Sequence, residues 1–387
     1  MRDLIFVSME DWDDVWRRNQ FLCAALSRRF PTMKILFVGL PINVSHQIRR
    51  GRFSGSTGPA TWTVPGFPNI TFTRALKLFP DSIGAGRVLN ELAARLHIRR
   101  VASKLGIKAP LLWLNPHSAV HTAGKMGESA VVYDITDDWA LVPSFSERER
   151  NLIAAQDRRL CARADLVVVC SEALERSRGP RSKRVLLLPN GVDVEHYAGV
   201  MHGANGHGAN GSGLPHPVFG YTGTLHRDRI DAGLLVRLAR SFPEGSVVLV
   251  GPDHLDAGTR ATLAAEKNMH LCGPAPYAEI PQKMAGFDVC IVPHMMTPFT
   301  ESLNPIKLWE YLASGKPVVS TDVAGFRDYS DLCHVAGEPE EFIAACRAAL
   351  GENGARSAER VAVARRNSWE SRLDTLIEAL EPLGVAA

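Results

Sequence analysis

Short apolar runs recur along this chain with helix-length segments between them, and that rhythm restricts the fold more than any other feature of the sequence. In the first half the runs are LIFV (4–7), KILFVGL (34–40), LLWLN (111–115), AVVYDIT (130–136), DLVVVC (165–170) and RVLLLPN (184–190). Helical stretches such as 16–29 and 85–104 lie between them. Strands that are apolar on both faces and separated by helices predict a parallel sheet covered on both sides. No run reaches the ~18 residues of a membrane span.

The rhythm stops once, at GVMHGANGHGANGSGLPHP (199–217), a Gly-, Asn- and His-rich segment with too few apolar residues to bury. It reads as a flexible linker, and His202 and His207, with no acid or cysteine beside them, read as solvated rather than metal-binding. The rhythm then restarts with VFGYTG (218–223), SVVLVG (246–251), HLCG (270–273), DVCIVP (288–293), PVVST (317–321) and a last strand near 333–335. Helices are expected at 306–314 and 339–350, and the apolar positions 369, 373, 376, 377 and 380 give the tail a helical spacing. The expected organisation is an N-terminal Rossmann-like unit (1–198), the linker (199–217), a second Rossmann-like unit (218–367) and a C-terminal helix (368–387) that packs back on the first unit. Two doubly wound α/β domains of this kind are expected to face each other across a cleft, where open sheets bind ligands.

Composition narrows the function by exclusion. A formal net charge of +3, without long runs of one sign, does not suit a nucleic-acid binder. The seven cysteines form no C-x-x-C pair and sit mostly among apolar neighbours, as reduced thiols do in a cytoplasmic protein. Acids by Glu10 and the absence of a long apolar segment behind a basic start argue against a signal peptide.

The first βα loop, SMEDWDDVWRRNQ, is acidic and aromatic and holds no glycine. A dinucleotide binder would carry G-x-G-x-x-G there, because only glycine lets backbone amides close on a pyrophosphate. Any nucleotide is therefore expected in the second half. Asp11, Trp12, Asp13, Arg17 and Asn19 suit a sugar acceptor instead, since carboxylates bind hydroxyls and rings stack on sugar faces. Asp11, Asp13 and Asp14 serve equally well as caps of the first helix.

The most informative stretch is TESLNPIKLWEYLASGKPVVST (300–321). On a helix, Lys307 and Glu310 share one side, Leu308, Trp309 and Leu312 pack on the sheet, and Gly315 ends the turn. A helix opening at Asn304–Pro305 directs its free amides toward an anion. The pattern P-x-K-L-x-E-Y-L-A-x-G-K-P-V-V resembles the donor segment of "group 1" glycosyltransferases of the GT-B fold, which include enzymes of bacterial exopolysaccharide and teichuronic acid assembly. LPNGVD (188–193), GYTGTLHRDRID (220–231), VLVGP (248–252) and LCGPAPYAEIPQKMAGFDVCIVP (271–293) follow the same family order.

The resemblance implies a role for each matching residue. Glu310 would accept the ribose hydroxyls, and Lys307 would face the pyrophosphate together with Gly223 and Thr224. Arg227 or Arg229 would add a second cation, and Gly273, Pro274 and Tyr277 would hold the base. Ser302 and Asn304 complete the donor set, and Asp288 would be structural. Ser302 also marks a departure, since retaining members have a glutamate there and the nearest acid in this chain is Glu301.

The acceptor hydroxyl needs a base at a strand end. Asp137, in Y-D-I-T-D, resembles the catalytic aspartate of inverting relatives; Asp138 comes second, and His117, in N-P-H, is the rival. Asp134 reads as structural. GT-B enzymes generally need no bound metal, and no D-x-D stands in the donor half, so no cofactor is expected beyond a UDP- or GDP-sugar substrate. The acceptor implied is a saccharide, lipid-linked if the basic-apolar stretches 48–53 and 94–100 meet anionic lipid at the inner membrane. Competing readings are an epimerase of the same fold and a two-lobed binding protein without chemistry.

Overall fold

Burial on both faces of nearly every strand is what the apolar runs demand, and the computed structural model meets it with two separate parallel sheets. It describes residues 1–43, 61–79, 84–200, 213–352 and 354–385. The chain divides into two units: residues 1–140, 145–188 and 373–387 form the first, and residues 141–144 and 189–372 the second.

The strands of the first unit's main sheet are β1 (Leu4–Val7), β2 (Ile35–Val38), β3 (Thr61–Val64), β4 (Phe67–Thr73), β5 (Leu111–Leu114), β6 (Ala130–Ile135), β7 (Leu166–Val169) and β8 (Val185–Leu187). They form one sheet in the order β8-β7-β6-β5-β1-β2-β4-β3. Every neighbouring pair is parallel except β3 with β4, which closes the edge as an antiparallel hairpin. That hairpin is absent from the sequence reading. Its outer strand, TWTV, is largely exposed and lacks the continuous apolar run of a buried strand.

The second unit contributes β9 (Val218–Thr222), β10 (Ser246–Val250), β11 (Met269–Gly273), β12 (Val289–Val292), β13 (Val318–Thr321) and β14 (His334–Ala336). Their order is β11-β10-β9-β12-β13-β14, all parallel, the doubly wound arrangement of nucleotide-binding folds. Strand order reverses between β1 and β5 in the first sheet and between β9 and β12 in the second. Polar groups gather at these two points because the buried strands exclude them elsewhere.

Helices 306–314 and 339–350 have the bounds that the sequence gives them. A further helix, Ala355–Arg366, has no counterpart in the reading. Of the expected linker, residues 201–212 lie outside the described residues. At the tail, the Arg2 amide donates to the Val385 carbonyl at 2.9 Å and Arg29 pairs with Asp374 at 2.6 Å, all within the first unit.

Asp134, on β6, has the structural role expected of it. Its carboxylate is paired at 3.1 Å with Arg18 of the helix Arg18–Arg29, and side-chain exposure is 3% for the arginine and 0% for the aspartate. Removing one partner of a buried pair strands the other charge away from water, at a cost of about 3–5 kcal/mol. Arg18→Met is therefore expected to lower the urea midpoint of the first unit's unfolding by that equivalent. A midpoint matching the wild type would show that the pair carries no such weight.

Candidate functional site

At the reversal point of the second sheet the chain leaves β9 at Gly223, whose φ of +130° is left-handed space that side chains rarely enter. A Cβ there would lie 2.5 Å from Lys307 Cε and 2.6 Å from Nζ, so the lysine occupies the room that the glycine leaves. The Lys307 ammonium sits 5.0 Å from the centre of the Tyr221 ring, which holds the cation in place from below. Next door, a Cβ at Gly251 would come within 2.1 Å of the Gly223 carbonyl oxygen, so two strand ends meet backbone to backbone.

Lys307 belongs to the helix Ile306–Ser314, which Pro305 starts and the left-handed Gly315 (φ +71°) stops. Three residues on, Glu310 is partly exposed and accepts the Tyr197 hydroxyl on Oε1 at 2.9 Å. Burial lifts its carboxyl above the ordinary range, against the downward pull of that hydrogen bond and of Lys307.

Tyr197 ends the short helix Val194–Tyr197, and the sequence reading gave this segment no site role. Its neighbour His196 stacks on Tyr277 at 4.0 Å with 19° between the rings and bonds through Nε2 to the Tyr277 carbonyl at 2.9 Å. Because a carbonyl only accepts, that nitrogen carries the proton, and burial lowers the ring's pKa, which favours the neutral form. The loop from Gly273 (φ +72°) to Tyr277 is thus tied to the same segment that reaches Glu310.

Buried His294, just past β12, is a second group that the sequence did not reveal. Its pKa is driven well below the usual value by burial, then by Lys307 and Arg229, so it registers two cations converging on this strand end. Arg229 lies over the Phe299 ring at 5.2 Å. Thr224 follows Gly223 and accepts the Tyr221 hydroxyl on its carbonyl at 3.3 Å.

Three expected donor residues are engaged elsewhere. Arg227 is exposed, with its nearest carboxylate on Asp228 at 3.9 Å. Ser302 is buried and donates to the Phe299 carbonyl at 2.7 Å, while adjacent Glu301 pairs with Arg327 at 3.1 Å. Asn304 accepts the Asn190 amide on Oδ1 at 2.8 Å and its carbonyl takes the Asn190 side-chain amide, so its role is to hold a loop. Asp288 is structural as expected, accepting the Val218 amide at 2.6 Å.

In the first unit three of the acidic loop's four carboxylates are paired with arginines. Arg17 lies 3.6 Å from Glu10 and 3.2 Å from Asp13, and Asp11 pairs with Arg74 at 2.9 Å. None of the aspartates caps the first helix; Arg17 holds that position, its amide bonded to Gln20 Oε1 at 2.9 Å. Trp12 packs edge-on against Phe37 and Phe67 at 5.1 and 5.7 Å. Asn19 is turned inward, donating to Ser8 Oγ and Asn115 Oδ1 at 2.9 Å each, and so fastens the reversal point rather than offering a polar contact outside.

Beyond β6, Asp138 is buried and clamped to Arg178 at 2.5 Å, a pairing that burdens it as a base. The same arginine reaches Asp157 at 3.2 Å, and Asp157 accepts the Tyr133 hydroxyl at 2.9 Å. Asp137 is half-buried and takes the Thr136 hydroxyl at 3.2 Å. His117, past β5, bonds Gln156 Oε1 through Nδ1 at 2.8 Å, and burial lowers its pKa.

Of the basic-apolar stretches, 48–53 lies outside the described residues. In the helix Gly84–Lys104, Ile98 is buried and His97 bonds Thr73 Oγ1 at 2.8 Å, whereas Val88, Leu89, Leu92 and Leu96 are exposed, as are Arg99, Arg100 and Lys104. Among the described residues no helix is long and apolar enough to cross a membrane, and no group of three His, Cys, Asp or Glu gathers to hold a metal.

Residues 216–352 match the family described as "Glycosyl transferases group 1". Three solved structures share the whole-chain fold at identities too low to show more. Sucrose-phosphate synthase of Thermosynechococcus elongatus is 15% identical with a TM-score of 0.72 over 100% of both chains. A trehalose-6-phosphate protein of E. coli bound with UDP-2-fluoro glucose is 14% identical with a TM-score of 0.66 over 98% of each chain. An Anabaena protein, HepE, in complex with UDP and glucose is 15% identical with a TM-score of 0.66, covering 98% of this chain and 100% of its own.

The second unit's residues 216–352 thus resemble the group 1 glycosyltransferases, in a chain with the GT-B fold. More particularly, the chain is similar to a Bacillus subtilis (strain 168) protein named as a teichuronic acid biosynthesis glycosyltransferase, TuaH, with 29% identity over 258 residues. That match covers 62% of this chain and 64% of the relative's length.

The close approach at Gly223 makes a direct prediction. Gly223→Ala is expected to cost about 1–3 kcal/mol through its backbone strain, and to displace the lysine as well. Denaturant titration of the second unit reads the cost; unchanged stability would mean that Lys307 does not need the space.

Proposed function

We propose that this protein transfers a sugar from a nucleoside-diphosphate sugar to a hydroxyl of a saccharide acceptor in surface-polysaccharide synthesis. The observation that carries the reading is the convergence of Lys307, Gly223 and Glu310 at the reversal point of the second sheet. Lys307, Arg229 and the helix amides take the diphosphate, Glu310 takes the ribose hydroxyls, and the Gly273–Tyr277 loop takes the base. UDP is the nucleotide favoured, since two proteins of like fold are described with UDP or a UDP-sugar.

The chemistry follows from those groups. A carboxylate removes the acceptor proton, the oxygen attacks the anomeric carbon, and the bond to the diphosphate breaks. The leaving charge falls on the cations already in place, so no metal is required. Asp137 is the base in this reading, because Asp138 is committed to Arg178. His117 is the second reading, favoured by its Gln156 bond, which leaves Nε2 as the acceptor nitrogen. The acceptor side is assigned to the first unit's loop, with Trp12, Asp11, Asp13 and Arg17 as its sugar contacts and Asn19 as their support.

Calorimetric titration with UDP and GDP, with and without EDTA, tests the donor assignment. Charged hydrogen bonds contribute about 1.5–3 kcal/mol, so Lys307→Ala and Glu310→Ala are each expected to weaken the nucleotide roughly ten- to hundredfold. EDTA should change nothing. Nucleotide affinity indifferent to both substitutions would remove the donor site. Asp137→Asn is expected to keep that affinity and to lose about 10²–10⁴ in turnover; an active Asp137→Asn beside an inactive His117→Ala moves the role to the histidine.

The acceptor is lipid-linked in this reading, and the apolar face of the helix Gly84–Lys104 with Arg99, Arg100 and Lys104 at one end supports it. The protein is expected to sediment with phosphatidylglycerol vesicles, less so with phosphatidylcholine, and Leu92→Glu/Leu96→Glu should abolish the difference. Equal recovery in all supernatants would return the acceptor to a free saccharide.

A further inference from the structure

We propose that Tyr197 is a positioning residue of the donor site: its hydroxyl fixes the Glu310 carboxylate in the orientation that two vicinal ribose hydroxyls require. The inference rests on the donor assignment above and adds to it a segment, Val194–Tyr197, that lies outside the motif carrying Lys307 and Glu310.

Geometry carries the argument. Tyr197 is 1% exposed, so its ring is fixed by packing, and its hydroxyl donates to Glu310 Oε1 at 2.9 Å. A carboxylate at a helix surface otherwise turns freely about its last bond, and that freedom must be lost when a ligand binds. A donor already seated on Oε1 removes it beforehand, which strengthens binding by preorganisation. The Tyr277 and Tyr197 rings meet edge-on with centroids 6.5 Å apart. Stacked on Tyr277 and edge-on to Tyr197 at 5.0 Å, His196 packs the loop assigned to the base against the residue that reaches the ribose carboxylate. Burial, Glu310 and Tyr277 push the Tyr197 hydroxyl well above its ordinary pKa, so it remains a donor throughout the useful pH range.

The readout is selectivity together with pH. Glu310 feels Lys307 on its own helix and Tyr197 from the facing segment, both of which hold its pKa down against burial. As pH falls through that raised value the carboxylate gains a proton and ribose binding weakens. Without the tyrosine hydroxyl the value rises further, and the loss sets in at higher pH. His196, whose pKa burial lowers, is the other titratable group on this segment, and Glu310→Gln separates the two because it removes only the carboxylate's contribution.

The experiment is calorimetry of wild type, Y197F, E310Q and E310A with UDP and 2′-deoxy-UDP between pH 5 and pH 8. Y197F is expected to bind UDP roughly two- to tenfold more weakly, to prefer UDP over its 2′-deoxy form less, and to lose affinity at higher pH than wild type. A variant that melts earlier yet keeps the wild-type preference and acid limb would reduce Tyr197 to a packing residue and overturn the proposal. If E310A itself leaves UDP affinity unchanged, the donor assignment fails and Tyr197 goes with it. Should Y197F not fold, H196A tests the support from its far end by removing the ring packed on both tyrosines: a smaller loss of the preference for UDP over its 2′-deoxy form is expected, and an unmoved preference counts against the role.

Discussion

A lysine lying where a side chain at residue 223 would have to be is the contact on which the second unit's polar end depends. It requires glycine at 223, and glycine at 251 lets the neighbouring strand end approach the same backbone. It places a cation beside Tyr221 and close enough to His294 to help keep that ring neutral. A parallel sheet buried on both faces has nowhere else to keep charge, so these groups collect at the reversal of strand order. The fold creates the position, and two glycines empty it.

The two units solve the same problem with opposite chemistry. At the reversal point of the first sheet there is no open glycine turn but a closed polar knot, in which Asn19 bridges Ser8 and Asn115. Beneath it Arg18 and Asp134 neutralise each other, and above it Arg17 and Arg74 absorb three of the loop's acids. A loop that looks strongly anionic in one dimension is partly offset in three. What it offers outward is aromatic surface and hydroxyl-binding carboxylate edges, which suits an uncharged ligand better than a phosphate.

Much of this architecture was legible in the sequence because its signals are local. Pro305 and Gly315 bracket the helix that bears Lys307 and Glu310, and continuous apolar runs mark each buried strand. The β3–β4 hairpin escaped because an edge strand needs only half its residues to be apolar. The site was partly legible for the same reason. Glycine, lysine and glutamate could be placed from a short motif, but Asp138 and Asn304 were overvalued because their partners, Arg178 and Asn190, stand 40 and 114 residues away. Ser302 was turned inward by a turn of 3-10 helix that no pattern announces. Tyr197 and His196 were missed outright: their contacts with Glu310 and Tyr277 join segments 113 and 81 residues apart.

The chain's path also sets an order of assembly. Residues 373–385 lie with the first unit, where the Val385 carbonyl receives the amide of Arg2, while the second unit is complete at residue 372. As the polypeptide leaves the ribosome, the half that emerges first is the half that must wait longest for its last piece. The second unit has every residue it needs before the first does, against the usual sequence in which N-terminal domains finish ahead of those behind them. Until the tail arrives, the surface around Arg2 and Arg29 lacks its covering segment, which makes the terminal helix a late clasp on an early-made sheet.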